Sequence, residues 1–328
     1  MRRAATLSNA KLMFQWFTGK VAYHSTWLAL KIGCGAVKIL PRVAFWMADR
    51  LASISYRGFS AFRNRSLANI RTALGDRLDD SAIELTARRS LRNFFRACVE
   101  IAVALESRDD QLRARIALVG RDHLDAALAK GNGVLLLSAH LGNFFLVGSR
   151  LAMEGYPAAV LVNQPRDDRF AELMDDYRLQ VRQRTIHARP RRQALREVHG
   201  VLRQNQVVVV IADEFRQGSG IEVPFFGGTV IARRGPVTLA LRTGATIVPA
   251  CLVRQADDSL KLIIEPELEL DRSGKGIAQI SENTLRMTQW LERTLRAYPD
   301  QWNWMNIRHW ATRCEQVKNR QQRLRRAV

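Results

Sequence analysis

From about residue 115 onward, short apolar runs alternate with segments of helical periodicity. The runs predicted as strands lie at residues 134–138, 158–162, 207–212, 245–252 and 260–264. Segments near 168–182, 193–203 and 276–298 are predicted as helices. Fully apolar strands separated by amphipathic helices are typical of parallel sheets that are covered on both faces. The sequence therefore predicts an α/β protein with a mostly parallel central sheet flanked by helices.

The first part of the chain has a different pattern. Residues 57–110 are predicted to be helical, and residues 21–56 are apolar but interrupted by charged residues. No uncharged run reaches the roughly 18–20 residues of a membrane-spanning helix. At 100° per residue, three lysines share one helix face: Lys20, Lys31 and Lys38.

This lysine stripe beside an apolar surface predicts an N-terminal helical region that lies in a membrane interface. Two alternatives are a buried helix with solvent-facing lysines and a true membrane span. We predict membrane-anchoring helices over 1–56, a main domain over 57–312 and a basic tail over 313–328.

The charge supports a polyanionic partner. Lys and Arg number 51 against 31 Asp and Glu, which gives a formal net charge of +20. An excess of this size favours either an anionic membrane or a nucleic acid. The arginines are spread along the chain without a recognition motif, so we expect a membrane and no nucleic acid. The four cysteines form no CxxC pair, which indicates a reducing compartment and neither a metal site nor a disulfide framework.

Two predicted strands end in reactive side chains. The first ends at Ser138 and is followed by His140, and the second ends before Asp213 and Glu214. Ligands gather at the carboxyl ends of strands in such sheets. The loop 223–228 adds a glycine turn, which can present backbone N–H groups to anions. A lone histidine is more often structural, so only the combination of these segments indicates a functional site.

In this order, the segments resemble a known family. SAHLGN at 138–143, IADE at 211–214, VPFFGG at 223–228 and TGATIVP at 243–249 are similar to the late acyltransferases of lipid A biosynthesis. The Arg65–Ile70 segment resembles the family's arginine-then-asparagine helix, and Pro299–Trp304, followed by Arg308, resembles its tryptophan-rich motif. The resemblance runs from about residue 20 to 310. It implies a glycerol-3-phosphate acyltransferase-like fold and makes 57–312 an acyltransferase domain.

The resemblance also implies a reaction. A fatty acyl group would pass from acyl carrier protein or acyl-CoA to a lipid or glycolipid hydroxyl, with a lipid A precursor as the leading acceptor. The site would lie at the cytoplasmic face of the inner membrane, without metal or organic cofactor. His140 would be the general base, oriented by a carboxylate.

The family motif places that carboxylate five residues after the histidine, where this chain has Phe145. Glu154 would lie about 21 Å from His140 along a helix, which is too far for contact. Three possibilities stay open: Asp213 or Glu214 assists His140, His140 works unassisted, or the chain is a catalytically silent lipid- or carrier-binding member.

Other residues are candidates for substrate binding. Arg178, or Arg182 in an alternative register, matches a family arginine that would bind phosphate; a solvated helix face is the alternative. Asn143 either caps a helix or contributes to the site. An acyl chain requires an apolar groove near His140. The remaining candidates are its proposed walls and the glycine of the loop: Phe144, Phe145, Phe225, Phe226 and Gly227.

Overall fold

The computed structural model describes residues 40–163, 168–215, 220–274 and 276–305, together with Ile32, Gly35 and Val37. Lys20, Lys31, Lys38, Arg308 and the predicted tail over 313–328 lie outside the described residues.

Seven strands form one central sheet. Its strands are β1 (Ile116–Val119), β2 (Val134–Ser138), β3 (Ala158–Val162), β4 (Arg184–His187), β5 (Val207–Ile211), β8 (Thr246–Arg254) and β9 (Leu260–Ile264). Their order is β1-β9-β8-β2-β5-β3-β4, and every neighbouring pair is parallel except β8 and β9. The remaining two described strands, β6 (Ile221–Phe225) and β7 (Gly228–Ala232), pair as an antiparallel hairpin.

Helices cover both faces of this sheet. The described helices are α1 (Pro41–Gly58), α2 (Ser60–Leu74), α3 (Asp80–Glu106), α4 (Asp109–Arg115), α5 (Arg121–Leu128), α6 (Val147–Met153), α7 (Asp168–Gln180), α8 (Arg191–Arg203), α9 (Gly235–Thr243) and α10 (Gly276–Ala297). Two short 3₁₀ turns, Phe144–Leu146 and Pro299–Gln301, flank the end of β2.

The strand β2 separates two apolar cores because its successive side chains point to opposite faces. Leu135 and Leu137 belong to a core that includes Trp290 and Trp302. Val134 and Leu136 belong to a second core on the other face. Burial on both faces explains why residues 134–137 of the strand are all apolar.

The α/β fold with a mostly parallel sheet is confirmed, and all five predicted strands are present. The structure adds two edge strands, β1 and β4, and corrects the predicted loop at 223–228. That segment lies in the β6–β7 hairpin, because Ile221, Val223 and Phe225 alternate with exposed residues and face the core.

Helix α1 carries two contrasting faces. Ala44, Ala48 and Ala52 are buried at intervals of four residues, and the helix packs against α3. None of the described helices combines the length and the apolarity that crossing a bilayer requires.

Candidate active site

The strand register brings His140 and Asp213 together. Strands β2 and β5 are adjacent and parallel, with Ser138 opposite Ile211. His140 and Asp213 each follow two residues after these positions. The backbone pairing continues past the strand ends, because the Ala212 N–H donates a 2.9 Å hydrogen bond to the Ser138 carbonyl. Both reactive groups therefore lie at the carboxyl edge of the sheet, as the sequence predicted.

The carboxylate of Asp213 is fully engaged. Its Oδ1 lies 2.8 Å from Nδ1 of His140. Its Oδ2 accepts a 2.9 Å hydrogen bond from the His140 backbone N–H and a 2.7 Å hydrogen bond from Nε1 of Trp302. The Asp213 side chain is only 2% exposed, whereas the His140 side chain is 26% exposed. The pair thus has a buried acid and an imidazole that remains accessible.

The electrostatics fix the roles of the two ring nitrogens. Burial opposes the ionisation of Asp213, but hydrogen bonds from His140 and Trp302 hold its pKa below the usual value. Burial likewise disfavours a charged imidazole, but Asp213, with a contribution from Glu214, raises the pKa of His140 above its usual value. An ionised Asp213 accepts the proton of Nδ1–H, so Nε2 is the nitrogen that can take up a proton.

The turn after His140 depends on a glycine. Gly142 has a φ of 56°, and a Cβ at this position would lie 2.0 Å from the carbonyl oxygen of Leu252. The turn is held on both sides, because the Gly142 N–H donates to the Gln301 carbonyl and the Asn143 N–H donates to the Leu252 carbonyl. This close approach fixes the direction in which His140 leaves β2.

Phe145 occupies the place where the family motif has an acid. Its side chain is partly buried and packs against the second core, while the guanidinium carbon of Arg178 lies 5.7 Å from its ring centroid. Arg178 forms a 3.0 Å ion pair with Asp175. Burial lowers the pKa of Arg178, and Asp175 opposes that shift. Arg178 therefore pairs with Asp175 of its own helix and stacks on the ring of Phe145.

Glu214 points to a different set of partners. Its carboxylate forms a 2.5 Å ion pair with Arg233 and accepts hydrogen bonds of 3.0 and 3.1 Å from Nδ2 of Asn163. Of the two acids at the end of β5, Asp213 is the one that hydrogen-bonds the His140 ring. The influence of Glu214 on His140 is that of a nearby charge.

Asn143 is the last residue of the 141–143 turn that follows His140, and Phe144 is the next residue. The Asn143 side chain does not cap the 3₁₀ turn that follows. Its Nδ2 donates instead to the Ala97 carbonyl at 3.2 Å and to Oε2 of Glu100 at 2.9 Å. The ring of Phe144 meets the His140 ring edge to face, with 4.7 Å between centroids. Phe144 is thus the aromatic candidate in direct contact with the imidazole.

Arg182 is not brought to this edge. It precedes β4, and so lies where the parallel strands begin, opposite the end at which His140 follows β2. There it forms a 2.5 Å ion pair with Asp109. It also lines a depression of about 410 Å³ beside Tyr156 and Arg184.

The two phenylalanines of the β6–β7 hairpin support the site from within the core. Phe225 is fully buried and Phe226 nearly so. Phe225 packs against Trp302 at a centroid distance of 6.2 Å, and Phe226 lies 6.1 Å from Trp304. Gly227, with a φ of 71°, completes the turn between the strands. Neither ring forms the wall of an open groove, because both are closed off by surrounding side chains.

The Arg65–Ile70 segment contacts the tryptophan-rich segment that contains Trp302 and Trp304. Nδ2 of Asn69 donates a 2.8 Å hydrogen bond to the Trp304 carbonyl, and Nη1 of Arg65 lies 3.3 Å from the Met305 carbonyl. Sequence reasoning identified both motifs but gave Trp302 no role in the site. Its indole contact with Asp213 could not be inferred from spacing, because 89 residues separate the two.

Across the part of the chain that the structure describes, no three His, Cys, Asp or Glu side chains cluster closely enough to hold a metal ion. The chemistry that this arrangement supports is proton transfer by an imidazole that a buried carboxylate orients.

Comparison with known proteins identifies the family. The model of the bacterial lipid A biosynthesis acyltransferase family matches residues 12–312. A phosphatidylinositol mannoside acyltransferase of Mycobacterium tuberculosis is 34% identical over 134 residues, which are 40% of this chain and 42% of that protein. The corresponding protein of Mycolicibacterium smegmatis is 26% identical over 197 residues, 59% of this chain and 62% of its own length.

A longer match extends over most of the chain. The lipid A biosynthesis palmitoleoyltransferase of Escherichia coli is 23% identical over 290 residues, 87% of this chain and 91% of that enzyme. The mycobacterial matches span less than two thirds of those relatives, whereas the family model covers nearly all of this chain. The chain belongs to the bacterial lipid A biosynthesis acyltransferase family.

Proposed function

We propose that this protein transfers a fatty acyl group from a thioester donor to a hydroxyl group of a lipid or glycolipid. The observation that carries the proposal is the 2.8 Å contact between Nδ1 of His140 and the buried carboxylate of Asp213. Family membership supplies the reaction class, since the family and the relatives named above are acyltransferases.

In the proposed reaction, Nε2 of His140 removes the proton of the acceptor hydroxyl as its oxygen attacks the thioester carbonyl carbon. A C–O bond forms and a tetrahedral oxyanion results. When this intermediate collapses, the C–S bond breaks and the thiolate leaves with the electron pair. The imidazolium returns its proton to the sulfur, so the products are an ester and a free thiol. Asp213 stabilises the imidazolium throughout and stays ionised.

The donor in this proposal is acyl carrier protein or acyl-CoA, and the acceptor class includes a lipid A precursor. Arg178 is the candidate for binding a phosphate of the donor or acceptor, because a guanidinium fits phosphate oxygens. Phe144, in contact with the His140 ring, is the aromatic candidate for contacting the acyl chain. The alternative of a catalytically silent member was based on the missing acid at residue 145. In this proposal Asp213 supplies the carboxylate in its place.

We further propose that the protein works at the cytoplasmic face of the inner membrane and docks there through its N-terminal region. Support comes from the α1 face opposite the buried alanines, where Trp46 is 57% and Ile54 is 64% exposed. Arg50 stacks on Trp46, at 5.4 Å from the ring centroid. An exposed apolar stripe interleaved with arginines fits an interface of acyl chains and anionic headgroups.

Lipid mass spectrometry tests the proposed function. Extracts of cells producing the wild-type chain or the His140→Ala variant are compared. The proposal expects a lipid that is one acyl group heavier in the wild-type extract alone. Identical lipid profiles, with both proteins folded and equally abundant, would refute it.

A further inference from the structure

A closed ring of hydrogen bonds surrounds the turn that follows His140. The Gly142 N–H donates to the Gln301 carbonyl at 3.0 Å. The Gln301 side chain accepts from the Arg254 N–H and donates to the Arg254 carbonyl, both at 2.8 Å. The Arg254 guanidinium forms a 2.5 Å ion pair with Oε1 of Glu100. Oε2 of Glu100 accepts from Nδ2 of Asn143, the residue after Gly142, and this closes the ring.

Glu100 is the member of the ring that joins two parts of the fold. Each of its carboxylate oxygens has a different partner, Arg254 at the end of β8 and Asn143 in the turn. Glu100 and Asn143 are buried, and the Arg254 side chain is only 9% exposed. Burying a carboxylate without hydrogen-bond partners costs free energy, so Glu100 is held where it keeps both partners. The Asn143 amide, as one of these partners, is held with it.

The helix α3 offers a continuous face to this ring. Asn93, Ala97 and Glu100 are spaced so that they lie on one side of a helix. Oδ1 of Asn93 accepts from Nε of Arg254 at 3.1 Å, and the Ala97 carbonyl accepts from Asn143. The side-chain hydrogen bonds from Asn143 to α3 are donated by Nδ2, while its Oδ1 is buried without a hydrogen-bond partner among the described residues. The orientation of the amide is therefore set by α3, and chiefly by the charged acceptor Glu100.

We propose that Glu100 is a positioning residue for the active site, which acts with Arg254 to hold the 141–143 turn and thereby keeps His140 in contact with Asp213. The carboxylate partners of Glu100 are Asn143 and Arg254 and do not include the imidazole, so its effect on catalysis passes through the turn. The expected effect on the transfer rate rests on the proposed function. The pKa of the His140 ring can be measured without any substrate.

The experiment is a titration of His140 by NMR of the imidazole Cε1–H, assigned by its absence in His140→Gln. A loosened turn weakens the contact with Asp213, so the raised pKa of His140 should move down toward the usual value. Because removing the charge of Glu100 could itself lower the pKa of His140, Glu100→Gln is accompanied by Glu100→Leu/Arg254→Met. The double variant removes one positive and one negative charge together and replaces the pair by apolar side chains. Asn143→Ala removes the same hydrogen bond without any change of charge.

A matched control is available in α6. Arg150 and Glu154 form another ion pair at 2.5 Å, with side chains that are 5% and 15% exposed, and Glu154 also pairs with Arg121. The hydrogen-bond partners of Arg150 are the Ile116 carbonyl and Glu154, and neither belongs to the 141–143 turn. Glu154→Gln disturbs a comparable pair and should leave the pKa of His140 unchanged.

The kinetic readout uses release of coenzyme A from palmitoyl-CoA in the presence of bacterial lipid vesicles. We expect kcat to fall about tenfold to a hundredfold in the Glu100 and Asn143 variants, with KM nearly unchanged, because misplacing a catalytic group has effects of this size.

A folded double variant with wild-type His140 titration and wild-type kcat would overturn the inference. So would a control variant that shifts the titration as much as Glu100→Gln. If Glu100→Gln fails to fold, the double variant and Asn143→Ala decide the question. If the wild type releases no coenzyme A, the proposed function fails on this donor, and the titration alone decides the role of Glu100.

Discussion

The indole of Trp302 donates a 2.7 Å hydrogen bond to Oδ2 of Asp213. The same carboxylate orients the His140 ring through its other oxygen. The tryptophan-rich segment near the end of the described chain is therefore part of the site, where it helps to keep a buried acid ionised.

Trp302→Phe should retain most of the packing and remove only the indole donor. Without that donor the pKa of Asp213 rises, and the pair orients His140 less well. We expect transfer to slow about tenfold, equivalent to about 1.4 kcal/mol, and unfolding to require about 1–3 kcal/mol less. Steady-state rates and denaturant unfolding measure the two effects.

Trp304→Phe is the control for this change. Its indole is also buried and donates a 2.6 Å hydrogen bond to the Pro299 carbonyl, away from Asp213. The assigned role of Trp302 would be supported if both variants lost similar stability and Trp302→Phe lost more of the transfer rate. Equal losses of rate would assign Trp302 to packing alone.

The pH dependence of transfer follows from the raised pKa of His140. A general base works in its unprotonated form, so kcat/KM should fall as the pH decreases through this pKa. Asp213 stabilises the protonated ring, so the acid limb should lie above the ordinary histidine value of 6.5. A rate profile from about pH 5 to pH 9 covers this range. An acid limb at or below 6.5 would contradict the proposed pairing.

Phe145→Glu restores an acid at the position where the family motif has one. Since Asp213 already holds His140, we expect no gain in rate. Loss of the packed ring should lower the free energy of unfolding by about 1.5–3 kcal/mol, partly offset by pairing with Arg178. Phe145→Leu, which stays apolar, should cost less. If Phe145→Glu transferred the acyl group several-fold faster than the wild type, Asp213 would not fully replace the acid of the family motif.

The sequence predicted the edge of the sheet where His140 and Asp213 meet because the relevant information is local. The apolar runs of β2 and β5 mark buried strands, and His140 and Asp213 follow the ends of those strands. The choice between Asp213 and Glu214 depended on strand order and register, which no local pattern encodes. Both acids follow the end of β5, and the structure turns Asp213 toward the His140 ring and Glu214 toward Arg233.

Two features required the tertiary structure. The roles of Trp302 and Glu100 arise from contacts across 89 and 43 residues, respectively. Glu100 did leave a trace in the sequence, because it is an acid within the apolar Cys98–Leu105 stretch. Residues 223–228 were predicted as a loop, whereas the alternating burial of Ile221, Val223 and Phe225 is that of a strand in the β6–β7 hairpin.

Docking on membranes can be tested on the exposed face of α1. Trp46→Glu/Ile54→Glu should reduce cosedimentation with phosphatidylglycerol-containing vesicles about tenfold or more, because each side chain loses apolar burial. Leu195→Glu/Ile277→Glu adds the same charge to exposed apolar positions on α8 and α10 and should bind as the wild type does. Equal binding by both double variants would rule out this face of α1 as the docking surface.

The proposed mechanism makes His140 the general base for acyl transfer and Asp213 the carboxylate that orients the His140 ring. The measurement that tests it most directly compares the transfer rates of Asp213→Asn and Glu214→Gln with the wild type, using labelled palmitoyl-CoA and membrane lipid as acceptor. An amide keeps the volume of Asp213 but cannot stabilise an imidazolium, so Asp213→Asn should lose on the order of 10³–10⁴-fold in rate. Glu214 acts on His140 as a nearby charge, so Glu214→Gln should lower the transfer rate several-fold at most. A folded Asp213→Asn variant with near wild-type rate, or a larger loss in Glu214→Gln, would contradict the account.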